Sequence, residues 1–236
     1  MSSSAYTWIR TRDGSPTLWS NELGESFRST KGAFTESWVA FVEPVLKAAR
    51  EGGGAVVGEL GLGPGTNWIL ATLAFRAAGI PLRYAVVERD PGSFRAGLER
   101  WREEGPALLA FLASKGLAIE GEAPIRAALA EGTRALAGDP SDAFAIFPDF
   151  ASAAGTRADF WFHDPFGFEV NPDGYSVQTL REASGLWAPR GRGFSYACNR
   201  RFQDALAEAI PGILVRVVAT GDAGLKRERM EFEWHR

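Results

Sequence analysis

Cysteine occurs once, at Cys198, and histidine twice, at His163 and His235. A lone cysteine excludes an intramolecular disulfide and any cysteine-cluster metal site, and two histidines exclude a multi-histidine one. With no base placed to activate it, Cys198 reads as a small apolar residue rather than a nucleophile. Long hydrophobic runs are missing too, so no stretch has membrane-spanning length. Met1-Ser2-Ser3-Ser4 leads into Tyr6-Thr7-Trp8 with neither the basic region nor the apolar core of a signal peptide. Charge of one sign is scarce: 26 Lys and Arg face 29 Asp and Glu, a net charge of −3. That balance argues against indiscriminate nucleic-acid binding while leaving room for a local basic patch. The expectation is a soluble, cytoplasmic protein.

What is present begins with size. At 236 residues and 45% hydrophobic content, the chain suffices for one α/β domain spanning 1–236, with an N-terminal extension over 1–50 and an insertion at 105–140. The extension reads as a hairpin over 5–20 with its turn at Asp13-Gly14-Ser15-Pro16. A polar, glycine-dotted link from Ser20 to Gly32 follows. An amphipathic helix then carries Phe34, Trp38, Phe41, Val42, Val45 and Leu46, which Pro44 kinks or restarts.

Next comes the stretch that carries the most chemistry. Ala55 to Leu60 is apolar enough for a buried parallel strand, and Gly61-Leu62-Gly63-Pro64-Gly65-Thr66-Asn67 leads into an Ala-rich segment of helical length, Trp68 to Ala78. Glycines let a ligand approach the main chain, and the helix behind offers unpaired N–H groups and the positive end of its dipole. Dinucleotides and S-adenosylmethionine both exploit such a turn. The dinucleotide fingerprint is G-x-G-x-x-G; here the spacing is G-x-G-x-G, with Glu59 two residues upstream. This E-x-G-x-G-x-G run resembles the first motif of class I methyltransferases, in which the acid helps fix the cofactor's amino end.

Strands and helices then alternate. Leu82 to Glu88 reads as the second strand, with Glu88 at its carboxyl end. An acid there, some twenty residues after the glycine turn, accepts from ribose hydroxyls of either cofactor. A helix over about Gly92 to Glu104 precedes the insertion, whose pieces Pro106 to Ser114 and Pro124 to Glu131 read as helical. Ala143 to Phe147 and Ala158 to His163 are the third and fourth strands. A helix is expected from about Gly174 to Trp187, a fifth strand over Gly193 to Ala197, a helix over Arg200 to Ala209, and a sixth strand over Ile213 to Val218. The seventh spans Arg229 to Trp234. With only a loop around Gly221 to Leu225 between them, the last two strands should pair antiparallel. A seven-stranded, mostly parallel Rossmann-like sheet closed by an antiparallel last strand is the class I methyltransferase order, and it favours the methyl donor over a nicotinamide.

Ligands of such sheets lie beyond the carboxyl ends of the strands. Asp149 stands after the third strand, either to accept from an adenine amino group or to cap the segment near Phe150. Asp164 stands after the fourth. Asp164-Pro165-Phe166-Gly167 resembles the [DN]-P-P-[FY] motif of methyltransferases acting on amino nitrogens. An amine attacks a sulfonium only through a free lone pair, so a carboxylate at the strand end holds its N–H groups and aims it. Strand alternation turns His163 away from Asp164, which makes it a structural histidine.

Residues 163–172, His-Asp-Pro-Phe-Gly-Phe-Glu-Val-Asn-Pro, are also similar to the Asp-Gly-Phe-Ala-Pro-x-x-Asn-Pro segment of one family. It is the methyltransferase domain of the tRNA 5-methylaminomethyl-2-thiouridine enzymes (MnmC type), here in a stand-alone form. Gly61 to Trp68 is similar to that family's G-F-G-T-G-x-N-F. Trp19-Ser20, Thr35 to Val39 and Gly224 to Glu228 fall where it has Y-F-S, E-x-x-Y-V-F and G-x-K-R-E. The resemblance implies an S-adenosylmethionine-dependent N-methyltransferase acting on the aminomethyl group of a tRNA wobble uridine. It implies that Glu59, Gly61, Gly63, Gly65, Asn67, Glu88 and Asp149 serve the cofactor, and that Asp164, Phe166 and Asn171 face the amine. Two departures stand out: D-G-F-A-P is D-P-F-G-F here, and the flavin oxidase half of the bifunctional enzymes is absent, so a separate flavin-dependent enzyme would supply the substrate. For tRNA, Arg181, Arg190, Arg192, Arg200 and Arg201 face only Glu182 between 181 and 201, and Lys226 and Arg227 extend the series. Such residues suit phosphates and equally suit a solvated surface. The alternatives are a small-molecule or protein amine as acceptor, or an NAD-dependent oxidoreductase.

Overall fold

Hairpin residues organise the N-terminal segment. Tyr6–Arg10 (β1) and Pro16–Ser20 (β2) pair antiparallel, and the two-residue Glu25–Ser26 (β3) adds to β2 in a computed structural model that describes residues 5–221 and 228–235. The hairpin turn also serves as an external cap for Ala33–Ser37 (α1). Ser15 Oγ accepts from the Ala33 and Phe34 N–H groups, and Asp13 Oδ2 from the Thr35 N–H at 3.3 Å. Those are the orphan donors every helix start must satisfy. A π-helical turn, Trp38–Val42, joins α1 to Glu43–Gly52 (α2), and Pro44 lies in the first turn after it.

The main sheet begins with Ala55–Leu60 (β4), then Thr66–Ala78 (α3), Leu82–Val87 (β5), Gly92–Glu103 (α4), Gly105–Ser114 (α5), Ala123–Leu136 (α6) and Phe144–Phe147 (β6). It continues through Ala158–His163 (β7), Val177–Ser184 (α7), Trp187–Ser195 (β8), Arg200–Ala209 (α8), Leu214–Ala219 (β9) and Glu228–His235 (β10). Strand order is β6-β5-β4-β7-β8-β10-β9, with β10 antiparallel to both neighbours and every other pairing parallel. This is the expected class I order. Residues 222–227, which include Lys226 and Arg227, lie outside the described residues.

Alternation along β7 separates two cores. Phe160 and Phe162 face a cluster with Phe41, Trp68, Phe94 and Trp101, while Trp161 faces one with Trp187, Phe202 and Trp234. The expected long helix over 174–187 is shorter than its sequence suggests. A 3-10 turn, Pro172–Tyr175, comes first. Ser176 then caps α7 by accepting from Thr179 N–H, and Trp187 already belongs to β8, stacked on Trp234 at 4.2 Å. Pro189 is tolerated in β8 because pairing with β7 slips between Ala158 and Phe160, the kind of bulge where a strand proline can sit.

His163 closes β7 inside the second core, fully buried, stacked on Phe202 at 4.6 Å and edge-on to Tyr175. Burial pushes its imidazole down to about 3, against the opposing pull of the Gly174 backbone. A depressed histidine is neutral in the fold and charges when unfolded. Its contribution to stability is therefore complete above about pH 6.5 and drains away as pH falls towards 3. His163→Gln, which does not titrate there, is expected to flatten that slope. The gap in melting temperature between wild type and variant should narrow steadily from pH 7 to pH 4.

Candidate functional site

The carboxyl ends of β4, β5, β6 and β7 open into one cleft of about 730 Å³, within the usual range for a small-molecule site. The glycine turn, Glu88, Asp149, Asp164, Phe166 and Asn171 all line it. Its far wall is N-terminal: Tyr6, Ser26, Phe27 and Arg28. Acids outnumber bases, since Glu22, Asp173 and Glu182 join the strand-end carboxylates against Arg28 and Arg89 alone.

Asp164 is the hub. Its side chain is 1% exposed and ion-paired to the equally buried guanidinium of Arg28, and Oδ2 also accepts from Asn67 Nδ2 at 2.8 Å. The other oxygen, Oδ1, is buried with no hydrogen-bond partner. Asn67 donates as well to Glu59 at 2.7 Å, and Tyr84 donates its hydroxyl to Glu59 at 2.9 Å. Burial raises both carboxyls, opposed at Asp164 by Arg28. Glu59 has no cation of its own and feels the Asp164 charge, so it is raised further and is the proton holder of the two. Glu59 and Asn67 thus sit beneath the cleft floor, orienting Asp164, and neither lines the cavity.

The remaining residues fall into place around this hub. Glu88 accepts from the N–H groups of Leu62 at 3.0 Å and Asp90 at 2.9 Å; burial raises its carboxyl against those donors. Asp149 accepts from Ser152 N–H at 2.7 Å, which caps the following turns and lowers its carboxyl. Asn171 accepts from Gly174 N–H at the 3-10 turn. Phe166 packs edge-on against Phe27 at 4.6 Å. Gly65 is the left-handed N-cap of α3 and stays out of the cavity. Gly61 and Gly63 have φ of 87° and 53°, and a Cβ on Gly61 would stand 2.9 Å from the Asp164 carbonyl oxygen. The glycine turn is therefore packed against the main chain at Asp164 and Pro165.

Several contributors carry no local signature in the sequence. Arg28 and Phe27 come from the polar link, and nothing there marks either as buried. Tyr196 and Tyr175 both donate to the Pro165 carbonyl, at 2.8 and 3.3 Å, and so clamp the loop that follows Asp164. Gly97, inside α4, did have a signal, because glycine in a helix interior costs about 1 kcal/mol and marks a close approach. The basic residues do not form one patch. Arg200 and Arg201 open α8 beyond the carboxyl end of β8, paired with Asp204 and laid over Phe168 respectively. Arg190 and Arg192 lie back along β8, roughly 10–17 Å from that edge, with Arg192 facing Glu233. Arg181 is exposed on α7.

The cleft fits S-adenosylmethionine on features of its own. Two glycines of the turn line it, a carboxylate stands at the end of β5, and two buried charged groups keep unmatched atoms, Arg28 Nε and Asp164 Oδ1. Residues 141–231 match the sequence profile of a family described as S-adenosyl-L-methionine-dependent methyltransferase. Strand order and matched stretch give the chain a class I methyltransferase-like fold, and the cleft residues suit S-adenosylmethionine as its cofactor. The resemblance to the MnmC-type methyltransferase domain extends to the fold. The crystal structure of MnmC2 from Aquifex aeolicus aligns with a TM-score of 0.67 at 22% identity, covering 98% of this chain and 71% of the other. Spermidine synthase from Thermotoga maritima aligns at 0.53 and 11% identity, over 96% of this chain and 68% of the other. No curated protein matches in sequence. Among the described residues, no helix is long and apolar enough to cross a membrane.

Proposed function

We propose that this chain methylates an amine nitrogen, and that the acceptor is the aminomethyl group of a tRNA wobble uridine. The observation that carries the first half is the buried, half-unmatched carboxylate of Asp164 facing an acidic cleft. Bound S-adenosylmethionine supplies an electrophilic methyl group. Glu88 holds the ribose end, Gly61 and Gly63 admit the ligand to the main chain, and Asp149 faces the base. Asp164 Oδ1 accepts an N–H of the amine and directs its lone pair, while Arg28 keeps Asp164 ionised. Phe166 and Asn171 border the acceptor, and the tyrosine clamp on Pro165 fixes the loop that presents them. Carboxylates on the lining favour a cationic amine and draw it in before it gives up its proton.

Residues 1–236 act as one catalytic unit in this reading, with 1–50 supplying a wall of the cleft and 105–140 packing behind α3 and α4. A separate flavin-dependent enzyme would release the amine on tRNA. The second half of the reading rests on the MnmC-type resemblance. One observation favours a smaller acceptor instead: Arg192 and Arg200 are engaged with Glu233 and Asp204, which weakens the surface as a phosphate binder.

Undermodified tRNA bearing the aminomethyl uridine, incubated with the protein and S-adenosylmethionine, decides the matter. The wobble nucleoside should gain one methyl by mass spectrometry, with binding that weakens as salt rises. Unmodified tRNA alongside methylated small diamines would replace tRNA with the smaller acceptor.

A further inference from the structure

Arg28 holds more donors than its ion pair consumes. A guanidinium offers five N–H groups in a fixed fork. Its recorded carboxylate contact is Asp164 Oδ2, an oxygen that Asn67 shares. Arg28 Nε is buried with no hydrogen-bond partner, and Asp164 Oδ1 is likewise unmatched, so the pair is not the closed two-point fork that a guanidinium and a carboxylate prefer. The guanidinium lies 5.6 Å from the Phe41 ring centroid, and the side chain is 4% exposed.

Its position matters as much as its spare donors. Arg28 lines the cavity that Gly61 and Gly63 line, and its neighbour Phe27 sits so close over the turn that a Cβ on Gly63 would meet the ring at 2.6 Å. The other lining cation, Arg89, is exposed and adjoins Glu88, at the ribose end. A methionine tail carries a carboxylate, and at the Asp164 end of the lining the cation present is Arg28.

We propose that Arg28 binds the methionine carboxylate of the cofactor, and so selects the amino-acid-bearing nucleoside over its decarboxylated counterpart. The inference rests on the reading of the cleft as a sulfonium-nucleoside site, and it makes residues 26–28 part of the cofactor pocket as well as its wall. Arg28 then faces two carboxylates, one from the chain and one from the ligand, which its fork geometry allows and a lysine's point charge does not.

Calorimetry on the full chain tests it without turnover. Wild type should bind S-adenosylhomocysteine roughly ten- to a hundredfold more tightly than the decarboxylated analogue, the range of a charge-assisted hydrogen bond. Arg28→Met should bring S-adenosylhomocysteine down to the analogue's level while leaving the analogue within threefold. Arg28→Lys, the gentler change, should lose severalfold of the preference, and it serves if the methionine variant fails to fold. Equal binding of the two nucleosides by wild type would overturn the proposal, as would equal weakening of both by Arg28→Met. Wild type binding neither would remove the cofactor reading itself.

Discussion

Asp164→Asn is expected to lower the turnover of methyl transfer by at least about a hundredfold, the scale of lost positioning at the reacting atoms, while S-adenosylhomocysteine affinity stays within severalfold. Asparagine keeps the shape and the oxygen that Arg28 and Asn67 address, but it cannot hold an amine by charge. The fold should survive, because Arg28 also feels Glu36 and Glu59. Removing the Asp164 charge takes away one of the causes that raise Glu59, so Glu59 ionises more readily and supplies the missing counter-charge. Asp164→Ala releases Glu59 in the same way but also removes the oxygen that Arg28 and Asn67 address. It strands the guanidinium of Arg28 and one donor of Asn67 in a buried site, at a cost of about 3–5 kcal/mol. Comparing the two by denaturant melt and by single-turnover kinetics separates chemistry from folding. A folded asparagine variant that no longer binds the nucleoside would move Asp164 from the acceptor to the cofactor.

The second large effect comes from a glycine outside the turn. Gly97 of α4 faces Pro64, and an alanine Cβ there would run into the Pro64 carbonyl oxygen and lie 3.0 Å from its Cα. The indole N–H of Trp101, one helical turn on, donates to the same oxygen at 2.6 Å. Alanine for glycine inside a helix ordinarily stabilises by up to about 1 kcal/mol. Here the obstacle is main chain, which cannot rotate aside, so the sign reverses. Gly97→Ala should destabilise by more than about 2 kcal/mol, as overpacking does, and weaken S-adenosylhomocysteine at least tenfold by lifting the loop between Gly63 and Gly65. An unchanged melt and isotherm would mean that α4 does not brace this turn.

These two residues also mark how far the sequence could be read. Asp164 was legible because a strand end, a proline and an aromatic stand together, and the order of the sheet followed from strand–helix alternation and the missing helix before the last strand. Gly97 was half legible. A glycine in an amphipathic helix announces a close neighbour without saying which. Arg28 was hidden, since burial is set by Asp164 and Phe41, both distant in the chain, and the local sequence Ser26-Phe27-Arg28-Ser29 looks like surface. The end of the helix before β8 misled for a related reason. Leu186-Trp187-Ala188 is as apolar as a helical turn, and only the pairing of Trp187 with Ala158 of β7 starts a strand there. Likewise, the run of arginines from 181 to 201 is contiguous on paper, but the length of β8 spreads it over the surface.

One contact has a bearing on how the molecule is made. The carbonyl of Val39, in the π-helical turn, accepts from the Arg229 guanidinium at 2.9 Å across 190 positions of chain. At ribosomal speed that interval is roughly 10–40 s. During it, the π-helical turn, whose Phe41 packs against Arg28, lacks the brace that β10 provides. A stalled chain ending before residue 228 should therefore hold β4 to β7 without a finished nucleoside pocket, and binding competence should arrive late and all at once.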